Sequence, residues 1–328
     1  ILAIFIDITK MKKILIIDPI HDEGIKLFKG NESFQFEIID SSDQNLVKDK
    51  IKNCDGLTVR TSLLTKDIID AGNKLKIISR HGVGYDNINL ETVKKKNITL
   101  AITATSNAVA VAEHVLFMLF NIAKRNNMYN ECVKSGKFSE RTKLPKTLEL
   151  WNKNILIVGF GRIGKCLIKK FKGLEMNVYV YDPFVSKEII ESFNGVKIDN
   201  LDDAISIMDA ITIHMPLNKN TKYMINYDVM KKMKNNCILI NAARGGIIEE
   251  NDLNKALNEG LIFGAGLDVF EKEPPSSDNP LLKNDKAFLS PHSAVFTEEC
   301  LSRMGIETIQ NIIDFFDNKL EKSKTVTL

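Results

Sequence analysis

Three side chains of different chemistry follow three short apolar runs in the last third of the chain. Arg244 comes after Cys237–Asn241 in NAARGG, Glu273 after Gly266–Phe270 in GLDVFEKEPP, and His292 after Ala287–Leu289 in LSPHSA. An arginine can bind a carboxylate or carbonyl oxygen and polarise a C=O bond. A histidine can take a hydroxyl proton in one direction and return it in the other. A carboxylate beside that histidine orients the ring and stabilises its protonated form. The set suits the interconversion of an alcohol and a carbonyl.

A second constellation lies upstream. Gly159-Phe160-Gly161-Arg162-Ile163-Gly164 directly follows the apolar run Ile155–Val158. Each glycine has its own reason: Gly159 permits a tight turn, Gly161 lets a pyrophosphate approach the backbone, and Gly164 lets a helix pack closely on the strand. The helix that opens there offers N–H groups and a partial positive charge to phosphates. The next run, Asn177–Tyr181, ends in Asp182, about where a ribose-binding carboxylate belongs. The plain alternative is a structural turn with a surface Asp, but strand, turn, helix and acid in this order favour a dinucleotide. A carboxylate at Asp182 repels a 2′-phosphate, and no Arg follows in Asp182-Pro183-Phe184-Val185-Ser186, so the cofactor read here is NAD rather than NADP.

These groups need a scaffold, and the hydrophobic pattern supplies one. Strand candidates in the first third are Lys13–Asp18, Phe34–Ile39, Gly56–Arg60, Lys76–Ser79 and Ile98–Ile102, separated by helical stretches such as Thr65–Ala71 and Leu90–Lys96. A long apolar helix, Asn107 to about Arg125, and a polar stretch, 126–150, precede a second series. Its strands are Ile155–Val158, Val178–Tyr181, Val196–Ile198, Ala210–His214, Cys237–Asn241, Ile262–Leu267 and Ala287–Leu289, and an amphipathic helix from Thr297 to about Leu320 closes the chain. Alternation of this kind predicts an α/β protein with two parallel-sheet domains and a cleft between them. In a parallel sheet the strand C-termini face the ligand crevice, so Arg244, Glu273 and His292 can converge.

Composition narrows the classes. The 328 residues suffice for two domains with their own cores. The net charge of +3 comes from Lys and Arg spread along the chain, which argues against a nucleic-acid partner. Cys54, Cys132, Cys166, Cys237 and Cys300 lie far apart, which fits a reducing cytoplasm and argues against a disulfide framework or a metal site. No apolar run approaches the roughly 18 residues of a membrane span. Met11-Lys12-Lys13 followed by Ile14–Ile17 reads as a natural start, which makes residues 1–10 an upstream extension.

The motifs together resemble those of the D-isomer-specific 2-hydroxyacid dehydrogenases over nearly the whole chain from Met11. The resemblance is carried by RHGVGYDNINL, SNAVAVAEHVLFML, ILIVGFGRIG with YDP, IHMPL, INAARGG, GLDVFEKEPP and PHSA. It implies hydride transfer between NAD and carbon 2 of a small D-2-hydroxy acid, with Arg244, Glu273 and His292 as the catalytic set. It implies that Asp268 holds the nicotinamide carboxamide, that Arg162 and Ile163 meet the pyrophosphate, and that Met215, Pro216, Ala242, Ala243, Arg244, His292 and Ala294 line the cofactor. His214, which ends a strand of the same domain, is placed on the adenosine side. The loop His81-Gly82-Val83-Gly84 should present backbone amides to the substrate carboxylate, with Arg244 and His292 at the reacting end. The family's architecture implies a flavodoxin-like substrate domain (11–107 with 297–328) and a Rossmann NAD-binding domain (108–296). Segment 126–150 corresponds to an arm that embraces a second subunit in a homodimer.

Two departures from the family pattern are structural. Asn152 stands where glycine is frequent, and Asn also tolerates the left-handed conformation. Asn89 stands where Asp is usual, and Asn caps a helix nearly as well. Of the remaining histidines, His114 in its apolar helix reads as core or interdomain packing.

Substrate choice rests on one clue. Asp55-Gly56-Leu57-Thr58-Val59-Arg60-Thr61-Ser62 resembles a segment of the 3-phosphoglycerate dehydrogenases whose Arg meets the substrate phosphate. The reading is D-3-phosphoglycerate oxidised to 3-phosphohydroxypyruvate. The alternatives are a hydroxypyruvate or glyoxylate reductase, since relatives carry Arg here without a phosphorylated substrate, and a corepressor-like NAD-binding protein that is not an enzyme. The short stretch after the last helix counts against the corepressor reading.

Overall fold

The computed structural model describes residues 11–40 and 43–328, so the expected extension, 1–10, lies outside the described residues. The chain divides into two compact units. One runs to Asn107 and resumes at Phe296–Leu328, and the other is Ala108–Val295.

The first unit is built on β1 (Lys12–Ile17), β2 (Phe34–Ile39), β3 (Gly56–Val59), β4 (Ile77–Arg80) and β5 (Thr99–Ile102). They pair in parallel in the order β2-β1-β3-β4-β5, the flavodoxin-like order. Apolar runs such as Ile14–Ile17 are buried along their whole length because helices cover both faces. On one face Leu15, Leu57 and Ile78 pack with Ile69 and Val93. On the other, Ile14, Ile16 and Ile77 pack with Ile25 and Phe28 of helix Asp22–Lys29 and with Ile309 and Ile312 of the C-terminal helix Glu298–Phe316. Those two helices touch through a pair of glycines. A Cβ on Gly24 would lie 2.3 Å from the Gly305 carbonyl oxygen.

The second unit holds β6 (Asn154–Val158), β7 (Asn177–Tyr181), β8 (Val196–Ile198), β9 (Ala210–Ile213), β10 (Ile238–Asn241), β11 (Gly264–Leu267) and β12 (Ala287–Leu289). All pairs are parallel, in the order β12-β11-β10-β9-β6-β7-β8, a Rossmann arrangement with one added strand. Helices Ala108–Ala123 and Arg162–Gly173 cover one face through Met118, Leu119, Leu167 and Phe171. Leu253, Ala256 and Leu257 of helix Glu250–Glu259 cover the other. The strand order reverses between β6 and β9, and the loops leaving these two strands flank that switch point.

Differences from the sequence reading are local. β11 starts at Gly264 rather than Ile262, because Gly260 (φ +72°) ends the preceding helix and residues 261–263 form the connection. Arg60 and His214 each fall just past the last residue of their strands. The stretch 126–150 contains a helix, Asn126–Lys134, which buries Cys132. Asn152 takes a left-handed φ of +56°, as anticipated for a residue in place of glycine. The Asn89 side chain caps helix Leu90–Lys95 by accepting from the Thr92 amide at 3.0 Å. Among the described residues no helix is long and apolar enough to cross a membrane.

Candidate active site

In the second unit the C-terminal ends of the strands carry nearly every residue singled out above. The turn after β6 is shaped by steric need at two of its glycines. Gly159 has φ +98°, and a Cβ there would sit 2.6 Å from the His214 carbonyl oxygen. A Cβ on Gly164 would sit 2.5 Å from the Gly159 carbonyl oxygen, so helix Arg162–Gly173 and β6 require this glycine to pack. Gly161 is different. It has an ordinary φ of −75°, and a Cβ on it would meet nothing within 4 Å. Nothing inside the protein demands glycine at that position, whereas a pyrophosphate lying against the backbone would. It also starts a helix whose first amides have no side-chain cap. This arrangement fits a dinucleotide phosphate.

Asp182, after β7, ties that turn down. One carboxylate oxygen accepts from the Phe160 amide at 2.7 Å and the other from the Phe184 amide at 2.9 Å. Each oxygen keeps a further lone pair for a ribose hydroxyl. After β9, His214 bonds through Nε2 to Thr212 Oγ1 at 2.8 Å, while Nδ1 is sealed from solvent without a partner. Burial pulls its pKa down to about 3, so the ring is neutral. Met215 and Pro216 follow in the same loop.

After β10 the chain makes a tight corner. Asn241 accepts from the Ala243 amide at 3.0 Å and donates to the Arg244 carbonyl at 2.9 Å. The Arg244 guanidinium donates to the Ala243 carbonyl at 2.6 Å. A Cβ on Gly245 would come 1.8 Å from the Phe270 carbonyl oxygen, so this corner is pressed against the loop that carries Glu273.

Glu273 and His292 form a bonded pair: His292 Nδ1 lies 2.7 Å from Glu273 Oε2, and Oε1 accepts from the Phe270 amide at 3.1 Å. Partial burial pushes the Glu273 carboxyl up, but the His292 hydrogen bond and charge, the Phe270 amide and the Arg244 charge outweigh it, and its pKa lies below the usual value. An ionised carboxylate only accepts, so Nδ1 carries the proton of this bond. Nε2 of the half-exposed ring then carries the lone pair whenever the ring is neutral. His292 itself has φ +51°, a conformation uncommon outside glycine.

The loop that bears His292 is held by Asp268, a residue 1% exposed. Its Oδ1 accepts from Ser290 Oγ at 2.6 Å and the Ser293 amide at 2.8 Å, and its Oδ2 accepts from the Ala294 amide at 3.1 Å. Ser290 and His114, which joins this cluster through Nε2 at 2.8 Å from Ser290 Oγ, were not singled out as site residues. Core packing does not describe His114: it sits on an apolar helix but spends its polar atom on the loop below. The signal available in the sequence was a lone histidine inside a run of Ala, Val, Leu and Phe.

The first unit places Arg60 and loop 81–84 side by side at the ends of the paired strands β3 and β4. The Arg60 guanidinium lies 5.0 Å from the ring centre of Phe296. Two of the amides in loop 81–84 are already bonded within the first unit. The His81 amide donates to the Val59 carbonyl at 2.8 Å and the Gly82 amide to the Arg80 carbonyl at 3.0 Å, which leaves those of Val83 and Gly84. The His81 side chain is buried on Thr308 Oγ1 at 3.0 Å, and burial, with the charges of Arg60 and Arg80, lowers its pKa to about 3.

Residues 116–294 match the model of the D-isomer specific 2-hydroxyacid dehydrogenase NAD binding domain. The chain belongs to this family. It is 36% identical to D-3-phosphoglycerate dehydrogenase of Methanocaldococcus jannaschii, over 92% of this chain and 57% of that protein. It is 34% identical to hydroxypyruvate reductase of Thermotoga maritima, over 90% of this chain and 95% of that protein. Among solved structures, D-lactate dehydrogenase from Aquifex aeolicus, complexed with NAD and lactic acid, superposes with a TM-score of 0.84 at 27% identity, covering 95% of this chain and 98% of that one. The chain spans about half the length of the phosphoglycerate dehydrogenases it matches. Membership makes NAD the cofactor of the second unit, in agreement with the open space at Gly161.

Proposed function

We propose that this chain is a dehydrogenase that moves a hydride between NAD and carbon 2 of a small D-2-hydroxy acid. The observation that supports it most is the Glu273–His292 pair, with Nδ1 committed to the carboxylate and Nε2 left to exchange a proton. NAD, when bound, supplies the hydride acceptor. Gly159, Gly161, Arg162, Ile163 and Gly164 would hold its pyrophosphate, and Asp182 its ribose. His214, Met215, Pro216, Ala242, Ala243, Asp268 and Ala294 would line it. In oxidation His292 Nε2 takes the hydroxyl proton of the substrate, and Glu273 stabilises the imidazolium that forms. In reduction the same proton returns. Arg244 binds the substrate oxygens and polarises the C2 carbonyl.

For substrate we infer D-3-phosphoglycerate, oxidised to 3-phosphohydroxypyruvate. Arg60 would read the phosphate, and the amides of Val83 and Gly84 the carboxylate. Support comes from Arg60 at the end of β3, steadied by the Phe296 ring, and from the 36% identity to the Methanocaldococcus jannaschii phosphoglycerate dehydrogenase, against 34% to hydroxypyruvate reductase. We also propose a homodimer formed through the second unit and segment 126–150, whose Val133 and Phe138 are exposed. The test of substrate compares kcat/KM for 3-phosphohydroxypyruvate and hydroxypyruvate, with NADH, in the native chain and in Arg60→Ala. A charge-assisted phosphate contact contributes about 1.5–3 kcal/mol, roughly 10- to 150-fold. The native preference should be at least that large and should collapse in the variant. Equal treatment of both keto acids by both proteins would hand the site to the unphosphorylated substrate.

A further inference from the structure

The helix Ala108–Ala123 is apolar along most of its length, yet His114, 15% exposed in its side chain, sits within it. If the position only filled space, an aliphatic residue would do so without a polar atom to satisfy. His114 Nε2 instead lies 2.8 Å from Ser290 Oγ and 3.4 Å from Asp268 Oδ1. The direction of these bonds follows from proton count. Ser290 has one hydroxyl proton, and the Asp268 carboxylate 2.6 Å away can only accept, so the serine donates to Asp268. The serine oxygen must then accept from His114, whose Nε2 therefore carries a proton. Burial pushes the Asp268 carboxyl up, but the His114, Ser290 and Ser293 hydrogen bonds prevail and its pKa lies below the usual value, in keeping with an acceptor at the end of the chain.

Asp268 is the clamp on both sides of His292: Ser290 on one flank, Ser293 and Ala294 on the other. His292 lies between them with φ +51°, a conformation its own backbone preference resists. We propose that His114 is a positioning residue for His292, acting through Ser290 and Asp268 to keep the 290–294 loop in the geometry that proton transfer needs. This rests on the reading of His292 as the acid–base group. Without the His114 proton, Ser290 keeps its bond to Asp268 but loses one of the two partners that fix its rotamer, and the N-terminal flank of the loop is loosened. Glu273 keeps its grip on the ring, so His292 is misplaced rather than lost. A misplacement of about 1 Å can cost on the order of 10²-fold in rate.

The experiment uses the full chain with His114→Leu, His114→Gln and Ser290→Ala. The leucine fills the space without a donor, the glutamine retains an N–H donor, and the alanine breaks the same chain from the loop side should the helix variant fold poorly. With the keto acid that the native protein reduces fastest, His114→Leu and Ser290→Ala should lower kcat about 10- to 100-fold. KM for NADH should stay within about fivefold and Tm within about 2 °C, since the loop is a small part of the fold. His114→Gln should recover most of the lost kcat. Amide exchange of residues 290–294, measured without substrate, should quicken in the leucine variant and return in the glutamine variant. Native kcat in His114→Leu, equal losses in Leu and Gln, or unchanged exchange would each overturn the proposal. A native protein that reduces no keto acid, with the exchange pattern still as described, would instead sink the reading of His292 and leave the hydrogen-bonded positioning of the loop standing.

Discussion

At the scale of single residues, the site depends on which atoms are already committed. His292 Nδ1 is taken by Glu273, which leaves one nitrogen for chemistry, and this makes the two substitutions unequal. His292→Asn should retain NADH binding and lose turnover by about 10²–10⁴-fold, the contribution of general acid–base catalysis. Glu273→Gln should lose less and shift the pH–rate profile, because the ring keeps a hydrogen-bond partner but not the charge beside it. Stopped-flow hydride transfer across pH measures both, and a fully active His292→Asn would remove it from the mechanism. His81 makes a contrasting case, since its ring belongs to the core. Its folded pKa of about 3 lies below the ordinary 6.5, so the unfolded chain binds the proton more readily. Stability should therefore be intact above about pH 6.5 and fall as the pH drops from there toward about 3, by up to about 1.4 kcal/mol per pH unit. His81→Gln, which can still meet Thr308, should lessen that slope in thermal melts between pH 7 and 5, the remainder belonging to His214, whose pKa is lowered to about 3 as well, and an unchanged slope would assign the acid lability elsewhere.

At the scale of elements, the strands were legible because a parallel sheet covered on both faces makes each strand a short, nearly unbroken apolar run. Their order was legible only through the turn after β6 and the family resemblance, since periodicity carries no information about which strand lies beside which. What escaped the sequence is informative. The helix Asn126–Lys134 was hidden by its polarity: only Cys132 of it is buried. The Asp268 clamp was hidden because it reaches a serine hydroxyl 22 positions away and two backbone amides 25 and 26 positions away, and every residue but proline possesses such an amide. Which amides of loop 81–84 are already bonded was hidden for a related reason, because that depends on the strand ends beside them. Glycines separate the two kinds of constraint. Gly161→Ala meets open space at an ordinary φ, so it should leave Tm within about 2 °C while weakening NADH binding more than tenfold, because its Cβ would occupy the place of the phosphate. Gly245→Ala must push apart the Arg244 and Glu273 loops, so it should lower Tm and turnover together. Fluorescence titration with NADH beside a melting curve distinguishes them. A Gly161→Ala protein with native affinity would show that the open space is not where the pyrophosphate lies.

At the scale of the whole molecule, the connectivity is unequal between the units. The second is one unbroken stretch, Ala108–Val295, with a seven-stranded sheet and apolar layers on both of its faces. The first is completed only when the chain returns: Ile309 and Ile312 of helix Glu298–Phe316 cover Ile14, Ile16 and Ile77, and Thr308 supplies the partner for both Ser79 and His81. Burying Met304, Ile309 and Ile312 is worth about 1.5–3 kcal/mol each, so roughly 5–9 kcal/mol is at stake. That is comparable with the about 5–15 kcal/mol that holds a typical domain together. A chain ending at Val295 should therefore lose the cooperative unfolding of its first unit. A fragment of residues 108–295 should fold and bind NADH within about tenfold of the full chain's affinity, because every residue proposed to hold the cofactor lies inside it. It should not turn over substrate, since Arg60 and the Val83–Gly84 amides are absent. Calorimetry of the truncated chain and NADH titration of the fragment decide the matter, and a fragment that melts without cooperativity or ignores NADH would show that the second unit owes its structure to the first.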